Sequence, residues 1–236
     1  MKSFKPLILL FGSMAVIAAC TTGGPPSSSG KLEAPGGVPA IALAPGEKVA
    51  VISATQENIG MDELLDCVGS VMRKANPALG IVPDKRFRAE LFPWFEPGTA
   101  PDSDEALAAL LQQPVVNERI TSLGVRYVVS VGGSHTKSAD DVGGAAGVIV
   151  LGGEDQSQLS ARLWDLQLAK SMGSITASAS GHFAAGVIAI VPFAFGPDTK
   201  GKVCNDVGWR LAQFLSGGKL AEPQTNTPTP QTPRSD

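Results

Sequence analysis

The sequence predicts an α/β domain: a single-layer mixed sheet covered by helices, with disordered tails at both ends. Three observations carry this. Short β-branched runs alternate with segments of helical period between residues 48 and 218. Two arms of period-2 alternation near Gln167 read as a hairpin. Both flanks are rich in Gly, Pro, Ser and Thr, a composition that buries too little apolar surface to fold.

The elements follow in order. Glu47 to Ala54 ("EKVAVISA") is a short apolar run, hence a buried strand. Met61, Leu64, Leu65, Val68, Val71 and Met72 recur at helical spacing over Met61 to Lys74, with Asn76-Pro77 as the stop. Leu79 to Phe87 reads as a second strand turning into a loop. Ser103 or Asp102 caps a helix over Asp104 to Leu111. Pro114 restarts a helix through Leu123, which Gly124 ends. Val125 to Gly133 is a strong strand that leads into a polar loop and then a Gly-rich region. Leu159, Ala161 and Leu163 alternate on the first hairpin arm, and Ile175, Ala177 and Ala179 on the second. The alternation slips at Trp164-Asp165, as at a bulge. Ala184 to Phe195 is another apolar run, a strand ending at Pro192. A last helix, capped by Asp198 or Thr199, carries Val203, Val207, Leu211, Phe214 and Leu215 on one face.

The N-terminus reads as an export signal over residues 1–19. Lys2 and Lys5 precede an apolar run too short to span a bilayer, which takes roughly 20 residues. The run ends in Ile17-Ala18-Ala19-Cys20, which resembles the bacterial lipobox. That resemblance implies a diacylglycerol on the Cys20 sulfur, cleavage before Cys20 and acylation of the new amine, and so a stable membrane anchor. Thr21 in place of aspartate implies the outer membrane. Residues 20–47 then form a lipidated tether, 48–218 one globular domain, and 219–236 a second low-complexity tail.

Net charge is −3, and no Lys/Arg cluster occurs, which argues against nucleic-acid binding. Charged residues make up only 17%, with one Tyr and two His, a poor stock for acid–base chemistry. After lipidation uses Cys20, Cys67 and Cys204 remain. An exported pair commonly forms a disulfide, and both lie near the apolar stripe of a helix. The alternative is two separate buried thiols. Their spacing matches no zinc site, and no cofactor motif occurs: "GGAAGVIVLGG" lacks the ending and spacing of a phosphate loop.

The layout resembles, in outline, exported lipoproteins of the curli-secretion-lipoprotein type and the N-terminal domain of the TolB translocation protein. "VAVI", "LGVRYVVSVGGS" and the Trp-Asp hairpin "ARLWDLQLAKSMGSITASASG" carry the resemblance. The hairpin lacks that group's Thr-Gly-Glu turn, and "FPWFEP" is foreign to it. "FPWFEPGTAP" is similar to a phrase of uncharacterised proteobacterial lipoproteins. The resemblance implies an envelope structural, secretion or enzyme-activating protein.

Three regions are candidate sites. Phe92, Trp94 and Phe95 form an aromatic loop, either a partner-binding surface or a loop tucked onto the core. Ser134, His135, Lys137, Asp140 and Asp141 gather after a strand, as in a hydrolase or as a solvated turn. The apolar runs Gly147 to Leu151 and Val187 to Phe195 read as core strands; the alternative is membrane-inserting hairpin arms of a secretion pore. The resulting expectation is a non-catalytic lipoprotein on the outer membrane, facing the periplasm, whose domain binds or scaffolds an envelope protein. A pore subunit and a periplasmic hydrolase are the alternatives. Replacing Cys20→Ser should abolish metabolic labelling with a fatty acid; persistent labelling would overturn the lipobox reading.

Overall fold

The computed structural model describes residues 32–33, 41, 43–54, 61–96, 98–145, 148–188, 191–218 and 220. The signal, Cys20 and the C-terminal tail from residue 221 lie outside the described residues. Seven strands form one mixed sheet: β1 (Leu32–Glu33), β2 (Lys48–Ser53), β3 (Gly80–Pro83), β4 (Val125–Ala145), β5 (Val148–Asp165), β6 (Lys170–Ile188) and β7 (Val191–Phe195). The order is β1-β6-β5-β4-β2-β3, with β7 also pairing β6. β2 runs parallel to β3 and β4, and β4 to β7 form an antiparallel meander.

Helices cover both faces of the sheet's base. Helix α1 (Met61–Ala75) and helix α5 (Thr199–Leu215) lie on one face; α2 (Asp84–Glu90), α3 (Asp104–Leu111) and α4 (Pro114–Ser122) lie on the other. β2 is apolar at successive positions because both of its faces are buried. Val49 and Val51 meet the α1/α5 side, while Ala50 and Ile52 meet the α2–α4 side. Ser103 caps α3 by accepting from Ala106 N–H at 3.1 Å, and Asp198 caps α5 by accepting from Gly201 N–H at 2.8 Å.

The two helices of the first face are pressed together. A Cβ at Gly208 would come within 2.8 Å of Val71 Cβ and 3.0 Å of Val68 O, so only glycine allows this approach. Cys67 and Cys204 are bonded across the same seam, with Cα atoms 6.1 Å apart. Ile41 and Leu43, inside the span that the sequence assigns to the tether, strap the end of α5. Their N–H groups donate to Phe214 O and Leu215 O at 2.9 and 3.2 Å, satisfying carbonyls that the helix leaves open. Arg126 lies between Glu47 and Asp165, at 2.9 and 3.4 Å. Burial and the neighbouring Asp165 carboxylate push the Tyr127 hydroxyl up to about 12.

Three expectations are corrected here. Residues after Pro83 form helix α2 rather than a loop. Pro83 ends the strand and takes the N-cap place, and Asp84 bonds both Ser53 N–H and the Arg88 guanidinium. The polar segment Gly132 to Asp141 continues β4, because its backbone pairs with β5 along its length. The apolar runs are not core strands. β4, β5 and β6 outrun the helices as a ribbon, and Ala184 to Phe195 divides into the end of β6 and the separate strand β7. Pro192 fits there because, among the described residues, β7 pairs on one side only, and an edge strand tolerates a residue without an N–H.

The Cys67→Ala/Cys204→Ala double variant should lose about 2–5 kcal/mol of unfolding stability, since the bond closes a loop of 137 residues. Urea unfolding measures this; an unchanged midpoint would mean that the α1–α5 packing suffices alone.

Candidate functional site

The ribbon is built from alternation. Beyond Val131, where β2 ends its pairing, β4 continues for roughly 45 Å, taking about 3.3 Å per residue. On the face that α5 covers, the cross-strand rows run outward in three zones. First come Leu163, Ala161 and Leu159 of β5 with Ile175 and Ala177 of β6, all buried under α1 and α5. Next come the rows His135–Ser157–Ala179 and Lys137–Asp155–Gly181. Last come Val142–Leu151–Ala185 and then Ile149–Val187, beyond the reach of any described helix.

The middle zone is a polar cluster under the N-terminus of α5. Thr199 Oγ1 donates to Asp155 Oδ1 at 2.5 Å and lies 2.8 Å from Ser157 Oγ. His135 Nδ1 is 3.0 Å from Ser157 Oγ and 3.5 Å from Asp155 Oδ1. Lys137 Nζ is 3.4 Å from Asp155 Oδ2 and 4.9 Å from the centre of the Phe183 ring. Asp155, Ser157 and Thr199 are buried. Gly181 lets Pro197 close over the row: a Cβ there would lie 2.5 Å from Pro197 Cγ.

This cluster does not have the geometry of a nucleophile relay. A relay needs the two imidazole nitrogens on different partners, one on the nucleophile and one on the carboxylate. Here Ser157 and Asp155 share Nδ1, and the Ser157 hydroxyl is buried. Of the residues expected together, His135 and Lys137 share this face, whereas Ser134 alternates to the other and pairs in register with Gln158. The side chains of Asp140 and Asp141 lie outside the described residues. Ser157, Asp155 and Thr199 were not legible as partners, because they come from other strands and a helix. The chemistry available here is charge balance: a buried carboxylate held by a lysine and a hydroxyl.

The outer zone is apolar, and no described helix covers it. Val142 is 75% exposed, Ile149 59%, Leu151 39% and Val187 38% on one face. Phe195, on the other face with Val150, is 70% exposed. Below the tip that second face is polar: Glu154 and His182 lie next to the tip, and Ser134, Thr136, Gln156, Gln158, Ser178 and Ser180 follow. Apolar surface of this extent is unusual on a folded domain and marks contact sites.

The aromatic loop divides. Phe95 is in the core, edge-on to Phe87 at 5.6 Å with Arg88 over its ring, so it is no part of a partner surface. Trp94 is half-buried against the same cluster; Phe92 is exposed. A cleft of about 360 Å³ lies between α1 and the β3–α2 turn, floored by Val51, Leu65 and Ile81. Its charged groups largely pair off, Lys85 with Asp62 and Asp84 with Arg88. Among the described residues, no three His, Cys, Asp or Glu side chains gather as a metal site, and no helix is long and apolar enough to cross a membrane.

The fold and this surface define a mixed α/β domain that extends an apolar-tipped β-ribbon. No known protein family and no curated protein matches the chain. Among solved structures, it is similar to the PelC dodecamer of Paraburkholderia phytofirmans, at 15% identity and a TM-score of 0.38, over 83% of this chain and 100% of that one. It is also similar to lipoprotein GNA1162 of Neisseria meningitidis, at 13% identity and a TM-score of 0.29, over 58% of this chain and 82% of that one. These are likenesses of outline and carry no statement about activity.

Thr199→Val removes a donor from buried Asp155 and should cost about 1–3 kcal/mol of stability, read from chemical unfolding. No change would show that the cluster is solvated rather than buried.

Proposed function

We propose that this protein is a lipid-anchored lipoprotein of the cell envelope. Cys20 holds it on the outer membrane, and its α/β domain faces the periplasm and binds or scaffolds an envelope partner without catalysis. The observation that carries this reading is the ribbon, an extension that adds exposed apolar contact surface. The shared imidazole nitrogen in the His135 cluster weighs against a hydrolase.

One observation favours a second reading, a pore subunit. Among the described residues, the ribbon's outer strands β4 and β7 run in opposite directions and are each paired on one side only. Copies side by side would therefore continue the antiparallel pattern. Against it, a membrane strand takes about 9–11 residues and is apolar on its lipid face alone, whereas the apolar zone here is shorter and two-sided.

Crosslinking in intact cells, followed by sizing in detergent, separates the two. The first reading expects a discrete heterologous adduct and a small species. Large homo-oligomeric rings would replace it with the pore, and an uncrosslinked monomer would overturn both.

A further inference from the structure

We infer that the ribbon tip seats in a lipid leaflet, the same one that holds the acyl chains of Cys20. This deepens the anchored reading above and rests on it for the position of Cys20.

The first support is two-sidedness. A sheet that docks on a protein is normally apolar on one face and solvated on the other. Below the polar cluster the sheet obeys that rule, with Leu159, Ala161 and Ala177 under α5 and Gln158, Ser160, Thr176 and Ser178 on the face turned away from it; at the cluster both faces are polar. At the tip the rule stops. Val142, Ile149, Leu151 and Val187 are exposed on one face and Phe195 on the other. A segment apolar all round fits a medium that surrounds it, and a bilayer interior is such a medium.

The second support is length. Gly153 to Val148 rises roughly 17 Å, taking about 3.3 Å per residue. A hydrocarbon core is about 30 Å thick, so the tip matches one leaflet and cannot cross two. Shallow seating also suits the open edges. Backbone groups left unpaired in hydrocarbon are costly, and only a few residues of β4 and β7 would meet it.

The third support is the collar where the apolar zone begins. Lys137, Glu154, Asp155 and His182 form adjoining rows there, and Lys137 Nζ lies over the Phe183 ring. Long cations and aromatic rings at such a boundary reach headgroups while their stems stay in the apolar layer.

The fourth support is direction. β1 is antiparallel to β6, with Leu32 opposite Ile175 and Glu33 opposite Ser174. Read from Glu33 back to Leu32, β1 therefore heads along β6 toward the tip. Cys20 precedes Leu32 by twelve residues, which span at most about 40 Å when extended. Phe183 at the collar is eight residues beyond Ile175, roughly 27 Å along β6 at about 3.3 Å per residue. Cys20 can thus stand at the level of the collar, so lipid anchor and apolar tip can meet one membrane surface.

The test uses the mature chain, residues 20–236, carrying Cys20→Ser so that no acyl chain can hold it. It is floated with vesicles of phosphatidylethanolamine and phosphatidylglycerol. The chain should float, and Ile149→Asp with Leu151→Asp should lower partitioning about tenfold or more. An Ile149→Trp variant in vesicles with brominated acyl chains should show quenching of the introduced indole. The Cys67–Cys204 bond and far-UV circular dichroism verify that the variants are folded. A chain that stays at the bottom of the gradient, aspartate variants that float equally well, or an unquenched indole overturns the inference. So does self-association through the ribbon without vesicle binding. If the acylated protein stays on membranes while the Cys20→Ser chain does not float, the tip inference fails and the anchor stands. If Cys20 never takes a fatty acid yet the Cys20→Ser chain floats, the anchor fails and vesicle binding by the tip stands, leaving the shared leaflet without support.

Discussion

The ladder between β4 and β5 is the constraint on which everything else depends. It runs from Tyr127 opposite Asp165 to Ala145 opposite Val148, through the body and out to the tip. Side chains on a strand alternate with period two, so a slip of one residue would move every apolar group to the wrong face. One irregularity, between Ala139 and Asp141, adds a residue to β4. Its effect is specific. Below it, the odd-numbered residues Gly133, His135 and Lys137 share the α5 face. Above it, Val142 does, in register with Leu151. The bulge thus sets which β4 residues enter the apolar zone on that face.

The polar cluster marks the border between two uses of one sheet. Below it, side chains are buried by α1 and α5; above it, no described helix reaches the same face. A buried carboxylate is tolerable only when it is paired and hydrogen-bonded. Asp155 meets that demand from two elements: Lys137 and His135 on β4, and Thr199 at the start of α5. The start of α5 is therefore pinned to the ribbon, and its middle is pinned to α1 by Cys67–Cys204 and the close approach at Gly208.

Much of the body was legible in the sequence because its signals are periodic. The stripe from Met61 to Met72, the stop at Gly124 and the Leu159–Ala161–Leu163 arm all encode which face is apolar. The slip at Trp164 was legible too, and the β5–β6 register does shift between Leu163 and Trp164. Helix α2 was missed because Pro83 and the charges of "DKRFRAE" mask a short helix with one buried anchor, Phe87. The ribbon was misread for a deeper reason. A uniform apolar run looks the same whether helices cover it or nothing does, since periodicity records a strand's faces and not its neighbours. The Asp155 cluster was invisible for a third reason: its members are brought together only by strand register and the docking of α5.

The strap of Ile41 and Leu43 across the end of α5 has a mechanical consequence. A protein tied to a surface by its N-terminal end is loaded there whenever the surface and its partner move apart. Tension along that chain reaches the short β1–β6 pairing first, at Leu32 and Glu33. It next meets the hydrogen bonds from Ile41 and Leu43 to the carbonyls of α5. From α5 it passes through a covalent bridge to α1. In a chain anchored as proposed, the pull would be delivered to the crosslinked helix pair at the base of the sheet.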